Sequence, residues 1–386
     1  MNSSIPHGGK LIKRFLDEIK SQKILDQSND IPKIKLTPDL VMDVEKIAIG
    51  AFSPLEGFMT RNDYISVLNN NRLENNNIWT IPITLNIDEN DAEKFKEGDE
   101  IALTDEKNEI IAILNLEEKF KQDKKNEAKK VFGTLDENHP GVSHTYSLPS
   151  TILGGKIDLI KRPYSKFKEF ELTPEETREI FKQKGWKTIV AFHTRNPPHK
   201  AHEFIQKAAL ELVDGLLIHP VIGRKKPGDF EPEVILNCYK LLVDNFYPKD
   251  KVLLSTLSTY SRHGGPKEAI FTGLVRKNYG ATHFIVGRDH TGVGDYYGKY
   301  DSHKLYKEFE KELGITPIYF HGPKYCKICD WITTDKVCPH SDEQKVEISG
   351  TEIRNMIKNK QYPPKDFMRK EIAEIAFKSY GNNQSK

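Results

Sequence analysis

The sequence has no apolar run near the ~18 residues of a membrane span, which excludes a helical membrane protein. It has little net charge. The 58 lysines and arginines face 56 aspartates and glutamates, a formal +2. No global field therefore collects nucleic acid, and any anion site has to be local. Its four cysteines are too few for a disulfide scaffold. Internal repeats and long low-complexity tracts are missing; NNNRLENNN near residue 70 is a polar loop. The opening MNSSIPHGGKLIKR lacks the charged-then-apolar layout of a secretory leader, so a cytoplasmic protein with no membrane attachment is expected.

The 386 residues, 37% of them hydrophobic, suffice for two or three domains with well-buried cores. The spacing of turn residues predicts a mostly β first domain, residues 1–167. Its strand-like runs are IWTIPITLNI (78–87), DEIALTD (99–105) and EIIAILNLEE (109–118). The charge run EKFKQDKKNEAKK (118–130) is expected to be a solvated helix face. A linker follows near 162–175, where Thr173 and Glu176 form a capping-box pair with Pro174 at the first helical position. From there to residue 322, short apolar runs alternate with amphipathic helical stretches. The runs are KTIVAF (187–192), DGLLIHPVI (214–222), KVLLSTL (251–257) and THFIVG (282–287). Such alternation predicts βα crossovers and a parallel sheet, an α/β domain. Residues 323–386 hold a cysteine cluster and a final helical segment, and are expected to form a small third domain.

Ligands of an open α/β sheet sit beyond the carboxyl ends of its strands. The four segments found there are HTRNPPHKAH, GRKKPGD, STYSRHGGPKEA and GRDHTGVGDY. Each carries arginine or lysine, so Arg195, Arg224, Lys225, Lys226, Arg262, Lys267 and Arg288 are expected to converge on one rim, as a site for a small polyanion. Pro197 and Pro198 suit a helix start, with Asn196 as N-cap. A helix N-terminus offers free N–H groups and a positive dipole end to a phosphate. His199 and His202, three apart, then share a face of the first turn, where both can donate to a phosphate oxygen whose charge grows in a transition state. No acidic or third histidine ligand accompanies them at metal spacing.

In AFHTRNPPHKAHEF (191–204) and VGRDHTGVG (286–294) the chain resembles the ATP sulfurylase (sulfate adenylyltransferase) family. AIGAFSPLEGFM, HPGV, GGPKEA and SGTEIR resemble further family segments, in order and over nearly the whole length. HKAH and ISGTEIR are also similar to elements of the wider nucleotidyltransferase superfamily. The resemblance implies a PUA-like β-rich N-terminal domain, a Rossmann-like catalytic domain (168–322) and a small C-terminal domain. It implies that sulfate attacks the α-phosphorus of ATP, giving adenylyl sulfate and pyrophosphate. Thr194, Arg195 and Asn196 would be the catalytic triplet, with Arg195 on sulfate, and His199 and His202 would stabilise the transition state. Gly287, Arg288, Asp289 and His290 would wrap the nucleotide, with Thr291 next to sulfate. Magnesium is expected on the β- and γ-phosphates, without a tight protein carboxylate. Sulfate is fully ionised at neutral pH and needs no general base, so positioning and charge neutralisation should suffice. Relatives are usually homo-oligomers. No appended kinase-type domain is expected, since the chain ends about where the third domain does.

Two positions depart from the family. His193 stands where glutamine is usual and could make the same hydrogen bond, with pH sensitivity near its titration range. Thr291 stands where alanine is common, and its hydroxyl would bond or crowd sulfate. Separately, Cys326, Cys329, Cys338 and His340 follow C-x2-C-x8-C-x-H, a donor set suited to a closed, structural zinc site. Cys238, Trp186 and Phe192 read as core, and His139 and His144 as structural residues. Ser349 begins a helix, and a phosphate contact from Arg354 is left open. The alternatives are a nucleotidyltransferase with another anionic acceptor, or an RNA-binding protein pairing a PUA-like domain with a zinc ribbon. The second would need a basic, aromatic-studded face, which the charge balance opposes.

Overall fold

The computed structural model describes residues 4–26, 30–223 and 229–382, so Arg224, Lys225 and Lys226 lie outside the described residues. The N-terminal part carries strands β1 (Lys33–Lys35), β2 (Gly57–Phe58), β3 (Leu85–Ile87), β4 (Glu100–Thr104), β5 (Ile110–Lys121) and β6 (Thr151–Leu159). They form one sheet of order β1-β4-β5-β6-β2, with β3 also on β6. Helices α1 (Glu18–Asp26), α2 (Pro38–Ala48), α3 (Arg61–Asn70), α4 (Glu89–Ala92), α5 (Lys124–Phe132) and α6 (Pro140–Ser147) surround it. The charge run at 118–130 is not one helix face: β5 continues to Lys121, and α5 starts only after Asp123 caps it. His139 is buried and caps α6, with Nδ1 accepting from the backbone N–H of Gly141.

Helix α7 (Pro174–Gln183) opens the second part with the expected capping box: Thr173 Oγ1 accepts from Glu176 N–H, and the Glu176 carboxylate accepts from Thr173 N–H. Five strands follow: β7 (Ile189–Thr194), β8 (Gly215–Pro220), β9 (Val252–Leu254), β10 (His283–Val286) and β11 (Thr316–Tyr319). All pair in parallel, in the order β11-β10-β7-β8-β9. Chain order runs outward from β7 to β8 and β9 on one side, then returns to β10 and β11 on the other. The β7/β10 boundary is therefore the topological switch point, where open α/β sheets take their ligands.

The central strands β7 and β8 are buried on both faces, as covered parallel strands must be. One face, through Ile189, Ala191 and Leu217, joins α10 (Pro266–Asn278), α11 (Asp301–Leu313) and the N-terminal core. The other, through Val190, Phe192 and Ile218, packs on α8 (Lys200–Leu210) and α9 (Pro232–Phe246). Trp186 and Cys238 lie in these cores as expected. Phe271 of α10 meets Phe52 and Trp79 edge-on, with centroids 5.2 and 5.4 Å away, which locks the two parts together.

The remaining strands β12 (Lys324–Cys326), β13 (Trp331–Thr333) and β14 (Lys345–Glu347) make an antiparallel sheet, followed by α12 (Gly350–Lys358) and α13 (Lys370–Asn382). Ile353, Ile357, Met368 and Ile372 of this segment share the α8/α9 core, so its apolar faces are covered by the parallel sheet's own helices. Among the described residues, no helix is long and apolar enough to cross a membrane.

Candidate active site

Strand β7 ends at Thr194, and its continuation is forced by two prolines. A residue before proline is driven out of the α region, so Asn196 and Pro197 stay extended and no helix can start there. The helix begins at Lys200 instead. His199, not Asn196, is the N-cap: its Nδ1 accepts from His202 N–H at 3.3 Å. With Nδ1 an acceptor, the neutral ring carries its proton on Nε2. The His199 and His202 rings stack with centroids 3.6 Å apart. Burial holds both far below the ordinary histidine pKa, His202 at about 3. They are neutral N–H donors at a helix N-terminus.

Arg195 is half-buried, and among the described residues no hydrogen bond or ion pair occupies its guanidinium. Its neighbour Asn196 is fixed from the C-terminal segment: Arg354 Nη1 donates to Asn196 Oδ1 at 2.5 Å. The α12 start that supplies Arg354 is capped by Ser349, whose Oγ accepts from Glu352 N–H. Gly350 leaves room for this contact, since a Cβ there would lie 2.8 Å from Asn196 Nδ2. The structure thus gives Arg354 a second task beside the one left open, which is to orient Asn196.

Opposite, β10 ends in the 287–291 loop. Asp289 and Thr291 have φ of 54° and 60°, a conformation that costs energy for any side chain and more for a β-branched one. The loop is held from below. His303 Nε2 lies 3.1 Å from the carbonyl oxygens of Val286 and Gly287, and Ser302 Oγ donates to His290 O at 2.8 Å. The Thr291 hydroxyl does not face the cavity as a spare donor; it is engaged with the carbonyls of Gly265 (2.7 Å) and His290 (2.6 Å). Arg288 makes a two-pronged pair with Glu347 of β14, at 2.6 and 2.9 Å.

The two loops face one cavity of about 790 Å³. His193, Thr194, Arg195, Asn196, His199, His202, Gly287, Arg288, Asp289, His290 and Thr291 all line it. The His193 and His290 rings approach to 5.6 Å across the switch point. A larger cleft of about 1590 Å³ runs between the N-terminal sheet and the α/β part, but it contains none of these residues.

Three further expectations change. Burial, reinforced by Arg276, pushes His193 well below its ordinary pKa, so it does not titrate near neutrality. Arg262 does not reach the rim: it is buried in an ion pair with Asp43 of α2 and lies 4.1 Å from the Tyr260 ring centroid, where it ties the N-terminal part to the α/β part. Lys267 does not line the cavity, and burial lowers it to about 8. The sequence reading also missed residues that line or brace the site: Arg276, His303, Asp229 and Glu347. Arg276, His303 and Glu347 signal themselves only as polar residues inside helical or strand patterns, and Asp229 only as the last residue of GRKKPGD.

In the C-terminal segment, the donor atoms of Cys326, Cys329, Cys338 and His340 all lie within 4.8 Å of one another. Cys329 and Cys338 Sγ are 3.8 Å apart, and His340 Nδ1 is 3.3, 3.3 and 3.5 Å from the three sulfurs. A zinc tetrahedron built from its ordinary bond lengths has edges of about 3.8 Å (S–S) and 3.6 Å (S–N). The donor set and these spacings fit a four-coordinate metal ion. Among the described residues this is the only such group.

The sheet order and the switch-point cavity define the class: a doubly wound α/β protein whose site is built for an anionic, phosphate-bearing ligand. The ATP-sulfurylase family model matches residues 168–379, and the PUA-like domain model matches residues 4–162. Sulfate adenylyltransferases from Halothermothrix orenii (46% identical; 96% of this chain, 97% of that one) and Pyrococcus abyssi (47%; 98% of each) are similar over nearly the full length. So is the one from Staphylothermus marinus (47%; 96% of each). The chain belongs to the ATP-sulfurylase family. A solved structure titled hexameric APS kinase from Thiobacillus denitrificans has the same fold, with a TM-score of 0.76 over 96% of this chain and 67% of that one; at 23% identity the likeness is of fold alone.

Proposed function

We propose that the chain transfers the adenylyl group of ATP to sulfate. A sulfate oxygen forms a bond to the α-phosphorus, the bond from that phosphorus to the α–β bridging oxygen breaks, and pyrophosphate leaves with the electron pair. No proton has to move, because the nucleophile is already fully ionised. The observation that carries the reading is the pairing of an unengaged Arg195 with two neutral imidazole donors at the start of α8.

In this reading Arg195 holds sulfate, with Thr194 and Asn196 setting the loop that aims it. His199 and His202 donate to the α-phosphate oxygens, where negative charge concentrates as the new bond forms. Gly287, Arg288, Asp289 and His290 enclose the nucleotide, and the main chain at Thr291, with its side chain engaged elsewhere, borders sulfate. His193 is a neutral neighbour of both substrates. Magnesium would arrive on the β- and γ-phosphates; among the described residues no acidic group at metal spacing borders the cavity. Zinc is the metal that best suits three thiolates and an imidazole, and it would stiffen the segment that carries Glu347 and Arg354. A cytoplasmic location, homo-oligomeric assembly and unit limits at 167 and 322 belong to the same reading.

The test is pyrophosphate release from ATP and magnesium with sulfate, phosphate or a phosphorylated small molecule as acceptor. The reading requires release with sulfate and an equal amount of adenylyl sulfate. Release that depends on another acceptor would replace it.

A further inference from the structure

Helix α10 is buried along its whole length from Glu268 to Asn278. Helices buried on all sides are normally apolar, yet this one carries four large polar residues. Three are satisfied. The Glu268 carboxylate accepts from the backbone N–H groups of Arg262 and Gly264. Lys277 Nζ donates to Leu313 O at 2.7 Å, and Asn278 Nδ2 donates to the carbonyls of Ala51 and Ser53.

Arg276 is the exception. It is 1% exposed and among the largest fully buried side chains. Nη1 and Nη2 make two long bonds, to Thr272 O at 3.4 Å and His219 O at 3.2 Å, and Nε has no acceptor. The phenols of Tyr279 and Tyr306 and the neutral imidazoles of His193, His219 and His290 lie near it, and among the described residues no carboxylate forms an ion pair or hydrogen bond with it. Buried guanidinium groups are ordinarily paired, because an uncompensated charge in a dry interior is strongly unfavourable. Here the missing counter-charge has room: Arg276 lines the same cavity as Arg195, His199 and His202. Two further polar atoms at that end, His193 Nδ1 and His290 Nε2, are also buried without a partner.

We infer that Arg276 is a further anion-binding residue of this cavity, the buried cation against which the doubly charged tetraoxyanion substrate is held opposite Arg195. The identity of the anion rests on the proposed function. Two guanidinium groups, one from the loop after β7 and one from inside α10, then neutralise a dianion. The arrangement also explains why a helix otherwise committed to packing keeps an arginine at this position.

The test uses the full-length holoenzyme and two variants. Arg276→Met keeps the length and the apolar stem of the side chain and removes the charge. It should raise the KM for sulfate about tenfold or more, the worth of a charged hydrogen bond, and leave the KM for ATP nearly unchanged. Without sulfate it should melt no lower than wild type, since an uncompensated charge is gone, and added sulfate should no longer stabilise it. A sulfate KM within about twofold of wild type, or both KM values rising together with a lower melting temperature, overturns the inference. Should Arg276→Met fail to fold, Arg276→Lys decides. A raised sulfate KM at wild-type melting temperature supports the inference, and an unchanged one overturns it. Wild type that releases no pyrophosphate with sulfate would overturn the functional reading instead, which separates the two failures.

Discussion

Gly350→Ala is a one-carbon perturbation that should separate catalysis from stability. Gly350 starts α12 and is not in a left-handed conformation, so alanine suits the backbone and should be neutral or slightly stabilising for the helix. The added Cβ, however, would lie 2.8 Å from Asn196 Nδ2 and 2.9 Å from its Cγ. Ordinary carbon contacts need about 3.5–4.0 Å, so the amide must move by roughly 0.6–1 Å. The amide has no easy retreat, because Arg354 holds its oxygen at 2.5 Å. Either that bond breaks or the 194–196 loop shifts. Misplacement of about 1 Å can cost about a hundredfold in rate, so a fall in kcat/KM of about 10- to 100-fold is expected. The melting temperature should stay at or slightly above that of wild type. The assay is steady-state pyrophosphate release alongside a thermal melt. Activity within about twofold of wild type would refute the idea that the C-terminal segment sets the geometry of Asn196.

Three other perturbations follow from the same structure. His7, His202 and His290 are held at about 4, 3 and 3 by burial, so the unfolded chain binds more protons below about pH 6.5. Stability should fall by roughly 1 kcal/mol per histidine per pH unit between about pH 6 and 4, while sulfate affinity stays flat from about pH 6 to 8; an unchanging melting temperature across the acid range would contradict this. Asp43→Asn leaves the buried Arg262 charge without its partner and should cost about 3–5 kcal/mol in denaturant unfolding, with kcat unchanged in the folded fraction; a large loss of kcat at full stability would return Arg262 to the site. Cys329→Ser should lower bound zinc below one per chain by metal analysis and reduce activity through the loosened Glu347 and Arg354 contacts; full zinc occupancy would remove the assigned donor.

Much of the fold was legible because burial on both faces writes a parallel strand as a short apolar run. All four runs so marked are strands, and the ends of β7 and β10 meet as the spacing implied. The fifth strand, Thr316–Tyr319, was missed because TPIY is short and contains a proline. The errors at the site have a common origin. A basic residue after a strand looks the same whether it faces a ligand or a carboxylate two hundred residues away, which is why Arg262 was placed on the rim and not on Asp43. Conversely, an arginine inside VRKN looks like a solvated helix face, and only the burial of α10 on all sides reveals Arg276. The cap was misplaced by one rule overriding another: proline favours a helix start, but consecutive prolines keep the residues before them extended, so the helix waited for His199.

The account turns on Arg195 being the unengaged cation that grips sulfate. The direct measurement is sulfate-dependent pyrophosphate release by Arg195→Ala beside wild type, with folding monitored by circular dichroism. The structure requires that the variant keep its fold and lose sulfate-dependent turnover. A folded variant that still turns over sulfate at the wild-type rate would contradict it.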